Sequence, residues 1–85
     1  MKLRFKQTCF ACPEQYDVFD ENDKQVGYLR LRHGYFRVDF PDCGGETIYS
    51  SDNVKGDGCF YDEKECRHYL NRADNAIRKK LRGLI

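Results

Sequence analysis

The sequence has little net charge, no long apolar run and no internal repeat. Its 85 residues include 15 Lys and Arg against 14 Asp and Glu, which gives a net charge of +1. This balance argues against an unstructured polyelectrolyte and against binding nucleic acid through bulk charge alone. No apolar run approaches the roughly 18 residues of a membrane span, and residues 1–14 lack the apolar core of a signal peptide. We therefore expect a cytoplasmic protein with no membrane partner.

Motifs typical of enzymes are also missing. The chain contains no GxSxG elbow, no Walker A loop and no dinucleotide-binding glycine pattern. Cys66 and His68 lie two positions apart in a predicted helix, so their side chains point to different sides and cannot act as a nucleophile and its base. No pair of carboxylates is brought together by spacing. We therefore predict that the protein is not an enzyme.

The five cysteines are an odd number, which fits poorly with a closed disulfide framework. In the expected cytoplasmic setting they would be reduced. Cys9 and Cys12 form a CxxC pair, which is half of a zinc site. The other half would need two ligands from Cys43, Cys59, Cys66, His33 and His68. Two alternatives stay open, namely scattered free thiols with no cofactor, or a structural zinc ion.

The strongest positive signal is the alternation of apolar and polar residues over residues 26–40, VGYLRLRHGYFRVDF. This period of two predicts strands, and His33-Gly34 predicts a two-residue turn because glycine readily adopts positive φ. The predicted pairs are Arg32–Tyr35, Leu31–Phe36, Arg30–Arg37, Leu29–Val38 and Tyr28–Asp39. One face would then carry Leu29, Leu31, Phe36, Val38 and Phe40, and the other Tyr28, Arg30, Arg32, Tyr35 and Arg37.

Further strands are predicted on both sides of this hairpin. Residues 15–20 form a strand that turns at Asn22-Asp23, which pairs Tyr16 with Leu29, Val18 with Gly27 and Phe19 with Val26. Residues 46–51 form the last strand, with Ile48 inward and Tyr49 outward. Residues 2–6 alternate apolar and basic side chains, which suits a short extra edge strand, whereas residues 8–14 break the pattern.

A helix is predicted over residues 62–82. Asp62 is a typical N-cap, and Glu65 three positions later completes a capping-box pattern. A near i, i+3/i+4 stripe follows, made of Cys66, Tyr69, Leu70, Ala73, Ile77, Leu81 and Leu84. Gly83 predicts the end of the helix. The fold class is therefore α+β: one domain over residues 1–85, with an antiparallel meander of about four strands in residues 2–51, a loop over 52–61 and one helix packed on one sheet face.

Because one helix covers one face, we expect the outer face to be open to a partner. The candidate binding residues on it are Tyr28, Arg30, Arg32, Tyr35, Arg37 and Tyr49. Arg and Tyr are frequent in protein hot spots and on surfaces that bind phosphates and bases. The alternatives are a homodimer interface, or a solvated face on which Asp17 and Asp39 neutralise the arginines. A second basic patch, formed by Arg78, Lys79, Lys80 and Arg82, could contact phosphates or simply compensate the helix dipole.

Residues 15–38, QYDVFDENDKQVGYLRLRHGYFRV, resemble short uncharacterised proteins of bacterial phages and mobile elements. A small sheet backed by a helix is also similar in outline to several β-sheet DNA readers and to small phage-encoded inhibitors of host defence. This likeness transfers no role to individual residues. We expect a small non-enzymatic binding module that acts on a protein or protein–nucleic-acid target, as an inhibitor or regulator of host machinery. The alternatives are a nucleic-acid-binding accessory protein and a zinc-stabilised mini-domain.

Overall fold

The structure is a computed structural model that describes residues 2–9 and 13–84. Within these residues, five strands and one helix occur in the order β1 (Arg4–Cys9), β2 (Glu14–Phe19), β3 (Gln25–Arg32), β4 (Tyr35–Phe40), β5 (Glu46–Ser51) and α1 (Glu63–Leu81). The strands form one antiparallel sheet in the order β1-β2-β3-β4-β5. The predicted α+β meander with a C-terminal helix is therefore confirmed, with a fifth strand in addition to the four expected.

The extra strand β1 is longer than the sequence pattern predicts. It begins at Arg4 and continues through Thr8 and Cys9, which were expected to break the strand. The pairing with β2 shifts by one residue between Gln7 and Cys9. This bulge lets the strand continue although its apolar alternation has ended.

The β3–β4 hairpin has the predicted register, with Arg30 opposite Arg37 and the other pairs as expected. His33 and Gly34 have φ values of 53° and 74°, and a two-residue type I′ turn requires positive φ at both positions. The Gly34 N–H also donates to the Asp57 carbonyl at 2.7 Å. The loop after β5 therefore holds the tip of this hairpin.

The β2–β3 turn differs from the prediction by one residue. Phe19 faces Gln25 rather than Val26, although the pairs further along the strands are as expected. The Asp20 N–H bonds back to the Lys24 carbonyl at 2.9 Å, so three residues form the loop instead of two. A bulge at Val26 then restores the register and leaves Val26 buried in the core.

The core lies between the inner sheet face and α1. Its fully buried side chains are Val18, Val26, Leu29, Leu31, Phe36, Val38, Ala73 and Ile77. The ring of Phe36 lies 5.7 Å from that of Phe60 and 5.5 Å from that of Tyr69. Phe60 and the buried Val54 belong to the loop 52–61, which was expected only to connect the sheet to the helix. The loop therefore supplies part of the core.

The helix has the predicted position and caps. The Asp62 side chain accepts the Glu65 N–H at 2.8 Å, and Gly83 has φ 74° as the C-terminal stop requires. Lys80 forms an ion pair with Glu46, the first residue of β5, at 2.7 Å. Leu81 and Leu84, the last two residues of the predicted apolar stripe, are exposed. In the described residues, no helix has both the length and the apolar character needed to cross a membrane.

Candidate binding site on the outer sheet face

The sheet face turned away from α1 carries the polar side chains that alternate with the core side chains along each strand. Because side chains alternate along a strand, the arginines of β3 and β4 share this face with tyrosines. A depression of about 290 Å³ is lined by Arg30, Arg32, His33, Tyr35 and Arg37. Four of the six predicted binding residues are therefore brought together, with His33 of the turn beside them.

The three arginines of this depression lie on two neighbouring strands. Arg30 lies directly opposite Arg37, which places their Cα atoms about 4.5–5.5 Å apart. Arg32 lies two residues further along β3, at roughly 6.6 Å. Like charges in this arrangement repel each other. In addition, the Arg30 Nε atom is buried and has no hydrogen-bond partner. Such a donor costs about 1–3 kcal/mol when it stays unpaired.

The two acids that could neutralise the arginines behave differently. Asp39 is 2% exposed and accepts from the Arg37 Nε at 3.1 Å. It also accepts from the Thr47 hydroxyl at 2.8 Å and the Gly44 N–H at 3.3 Å. Asp17 accepts instead from the Gln25 amide at 3.1 Å.

The charges on the outer face are therefore only partly balanced. Arg37 is compensated by Asp39. Arg30 and Arg32 have no ion-pair partner within residues 2–9 and 13–84. The alternative of a face fully neutralised by Asp17 and Asp39 does not hold for these two side chains.

Tyr28 belongs to the outer face but lies beneath the site rather than on its surface. It is only 8% exposed, and the Arg37 guanidinium lies 5.9 Å from its ring centre. Burial raises the pKa of Tyr28, and the neighbouring Cys43 adds to this rise, while Arg30 and Arg37 lower it by less. Tyr28 is therefore a neutral phenol at neutral pH, and its ring supports Arg37.

Tyr49, predicted to point outward, lies on the inner face. It sits opposite the core residue Val38, and its ring meets that of Phe36 edge-on at 6.2 Å. The pairing then shifts to Asp39 with Thr47, so Ile48 is an extra residue in β5. A bulge reverses the alternation of the residues that follow it. The predicted side for Tyr49 was wrong because nothing in the local sequence marks this bulge.

The second predicted basic patch lies at the end of α1, on the other side of the sheet from the arginine depression. Arg78 pairs with Asp74 at 2.5 Å and Lys80 with Glu46 at 2.7 Å. Lys79 lines a separate depression between β5 and α1, and Arg82 caps the helix. The two basic surfaces are therefore not continuous.

Four of the five cysteines lie in the described residues. Cys9 ends β1, whereas Cys12 lies outside the described residues. Cys59 is disulfide-bonded, which corrects the expectation of a reduced thiol at this position and removes one candidate zinc ligand, because zinc binds the thiolate. Cys43 and Cys66 are free thiols, as expected. In the part of the chain that the structure describes, no three His, Cys, Asp or Glu side chains are placed to hold a metal.

Sequence reasoning missed a polar cluster on the inner side of the sheet. The Tyr16 hydroxyl donates to the Glu14 carboxylate, and the Cys66 Sγ lies 3.8 Å from both side chains. Glu14 also accepts the Phe60 N–H at 3.2 Å. Burial raises the pKa of the Cys66 thiol, which makes it a poor nucleophile at neutral pH. The cluster therefore ties β2 to α1 and to the preceding loop. Cys66 is 50 residues from Tyr16 and 52 from Glu14 in the chain, so no local pattern indicates the cluster.

Comparisons with protein-family models, with curated proteins and with solved structures give no match for this chain. The proposals below therefore depend on the geometry and charge of the site.

Proposed function

We propose that this protein is a small non-enzymatic binding module whose outer-face depression binds an anionic group on a protein partner. The main support is the cluster of three arginines at this depression, of which Arg30 and Arg32 have no ion-pair partner in the described residues. A bound anion offsets the repulsion between Arg30 and Arg37. Arginine is also among the residues that contribute most to protein–protein affinity.

A protein partner is favoured over nucleic acid by the distribution of charge. The net charge is only +1, and the arginine depression and the basic helix end lie on opposite sides of the sheet. A nucleic acid could therefore engage only one of the two surfaces at a time. Binding to nucleic acid is the second candidate function. It is supported by Tyr35, a residue that is 43% exposed beside the arginines and can stack on a base.

The proposed biological role is regulation or inhibition of host machinery. This part of the proposal draws on the resemblance of residues 15–38 to proteins of phages and mobile elements. In this proposal, the module acts by occupying a surface of its target through the side chains of the depression.

A pull-down from bacterial lysate tests the proposal. The Arg30→Glu/Arg37→Glu variant reverses the charge of the depression, and Arg30→Gln/Arg32→Gln removes charge without touching the Arg37–Asp39 pair. Lys64→Glu/Arg67→Glu is the matched control, since it makes the same charge change at exposed helix positions on the other side of the sheet. We expect both depression variants to lose the partner and the control to keep it. Circular dichroism checks that each variant is folded.

Two further results would change the assignment. Identical partners for the wild type and both depression variants would show that this face is not the binding site. Retardation of an oligonucleotide at about 50 mM salt that weakens steeply as salt rises would favour the nucleic-acid function. If size-exclusion chromatography shows a dimer that Arg30→Glu dissociates, the outer face is a homodimer interface.

A further inference from the structure

We infer that the anionic group bound in this depression is a phosphate monoester carried on a side chain of the partner protein. This inference depends on the proposed function, since it names the chemistry of the same site. It starts from the arrangement of Arg30, Arg32 and Arg37. Two of them face each other across β3 and β4, and the third is the next residue on the same face of β3.

The charge of the depression matches a dianion. Asp39 compensates Arg37, whereas Arg30 and Arg32 have no carboxylate partner in the described chain. The His33 Nδ1 lies 3.8 Å from the Asp57 carboxylate, so His33 is left out of this charge balance. About two positive charges are therefore unbalanced, and a phosphate monoester carries about −1.5 to −2 at pH 7. A carboxylate carries half of this charge, and so does a phosphodiester of a nucleic-acid backbone.

The number of donors points to the same group. Three guanidinium groups line the depression, and each presents a planar set of N–H donors. A monoester has three terminal oxygens, so each arginine can bind a different oxygen. A carboxylate or a phosphodiester has only two terminal oxygens. Either therefore offers the three guanidinium groups fewer acceptor sites than a monoester does.

The surroundings of the depression favour a phosphorylated chain over a free ion. A second depression of about 350 Å³ is lined by Pro13, Arg32, His33, Asp57 and Gly58. It adjoins the first, because Arg32 and His33 line both. This space suits residues that flank a phosphorylated side chain. Because Asp57 lies in it, a neighbouring phosphate would be repelled, which disfavours a nucleic-acid strand continuing along this path.

NMR titration of the 15N-labelled protein tests the inference through the Arg Nε–H signals. The probes are a short glycine-flanked phosphoserine peptide, the same peptide with glutamate, inorganic phosphate and a single-stranded oligonucleotide. We expect the phosphoserine peptide to shift the Arg30 Nε–H signal saturably and to bind about tenfold or more tightly than the glutamate peptide. Arg30→Lys keeps the charge but loses the planar donors, so its affinity should fall about tenfold. Arg67→Lys, at an exposed helix position, should not change it.

Several outcomes would overturn the inference. Equal binding of the glutamate and phosphoserine peptides would exclude phosphate selectivity, and equal binding of inorganic phosphate would exclude a site built for a phosphorylated chain. Tighter binding of the oligonucleotide would assign the site to a phosphodiester. If lysate partners need Arg30 and Arg37 but stay bound after phosphatase treatment, the proposed function holds and this inference fails. If the variants of these arginines capture the same partners as the wild type and the phosphoserine peptide does not bind, both the proposed function and this inference fail.

Discussion

Glu65 holds the loop before α1 through three backbone hydrogen bonds. Its carboxylate accepts the N–H groups of Lys55 at 2.8 Å, Gly56 at 3.1 Å and Tyr61 at 2.8 Å. The capping-box pattern predicted that Glu65 would bond back to the N-cap residue, but the structure uses it for this loop instead. Because the loop supplies core side chains and holds the hairpin tip, we expect Glu65 to stabilise much more than the start of the helix.

The size of this effect follows from the number of bonds. A hydrogen bond to a charged group contributes about 1.5–3 kcal/mol when buried, but two of these bonds are exposed and screened by solvent, so we take about 1 kcal/mol for each. Glu65→Ala should then lower the free energy of unfolding by about 3 kcal/mol. Glu65→Gln keeps an acceptor oxygen but no charge, so a loss of about half this size is expected. A chain of 85 residues has a total stability of about 4–13 kcal/mol. The Gln variant should therefore stay folded and measurable.

The same bonds make the contribution of Glu65 depend on pH. Burial disfavours its ionised form, but the three N–H donors outweigh this and lower the pKa of Glu65. The folded-state pKa thus lies below the unfolded value of about 4.3. The stabilisation is present above the unfolded pKa and disappears as pH falls through the folded pKa. Wild type and Glu65→Gln should differ at pH 7 and converge in acid.

Urea denaturation at neutral and acid pH measures this difference, and the amide proton shifts of Lys55, Gly56 and Tyr61 report the titration directly. Glu63→Gln is the matched control, because Glu63 is exposed and pairs only with Arg67 at 2.8 Å, a surface contact worth about 0.5 kcal/mol. Equal unfolding midpoints for wild type and Glu65→Gln at pH 7 would refute the reasoning. So would amide shifts of the three loop residues that do not titrate together.

Three other predictions concern the site and the thiols. Asp39→Asn removes the charge partner of the Arg37 guanidinium and should lower the free energy of unfolding by about 2–3 kcal/mol, as measured by urea denaturation. An unchanged free energy of unfolding would contradict the role of Asp39. Gly34→Ala places a Cβ on a residue with φ 74° and should destabilise the fold by about 1–2 kcal/mol, which is measured as a lower melting temperature. An unchanged melting temperature would contradict the type I′ turn. The exposed Cys43 should react with iodoacetamide faster than Cys66, because burial raises the pKa of the Cys66 thiol. The two rates are measured by mass spectrometry of the modified peptides, and equal rates would contradict this prediction.

Local rules were sufficient to predict the part of the fold that forms the site. The alternation over residues 26–40 and the positive-φ turn at His33-Gly34 fix the register of β3 with β4, because a shift of one residue would expose the core side chains. This register alone brings Arg30, Arg32, Tyr35 and Arg37 together. Likewise, the N-cap Asp62 and the stop at Gly83 lie within one turn of the helix ends they define.

Contacts between distant residues decided the rest. The bulges in β1, β3 and β5 are set by how neighbouring strands and the helix pack, so the extra residue Ile48, and with it the inward position of Tyr49, has no local signature. The burial of Asp39 likewise has no local signature, because its carboxylate accepts hydrogen bonds from the Thr47 hydroxyl and the Gly44 N–H. The sequence by itself determined which residues of β3 and β4 share the outer face, because the hairpin register fixes the alternation of their side chains. Only the tertiary structure decided which arginines are neutralised. Asp39 pairs with Arg37 on the same strand and is held there by Thr47 and the Gly44 N–H, whereas Arg30 and Arg32 have no ion-pair partner in the described residues, because such pairing depends on which side chains the folded chain places nearby.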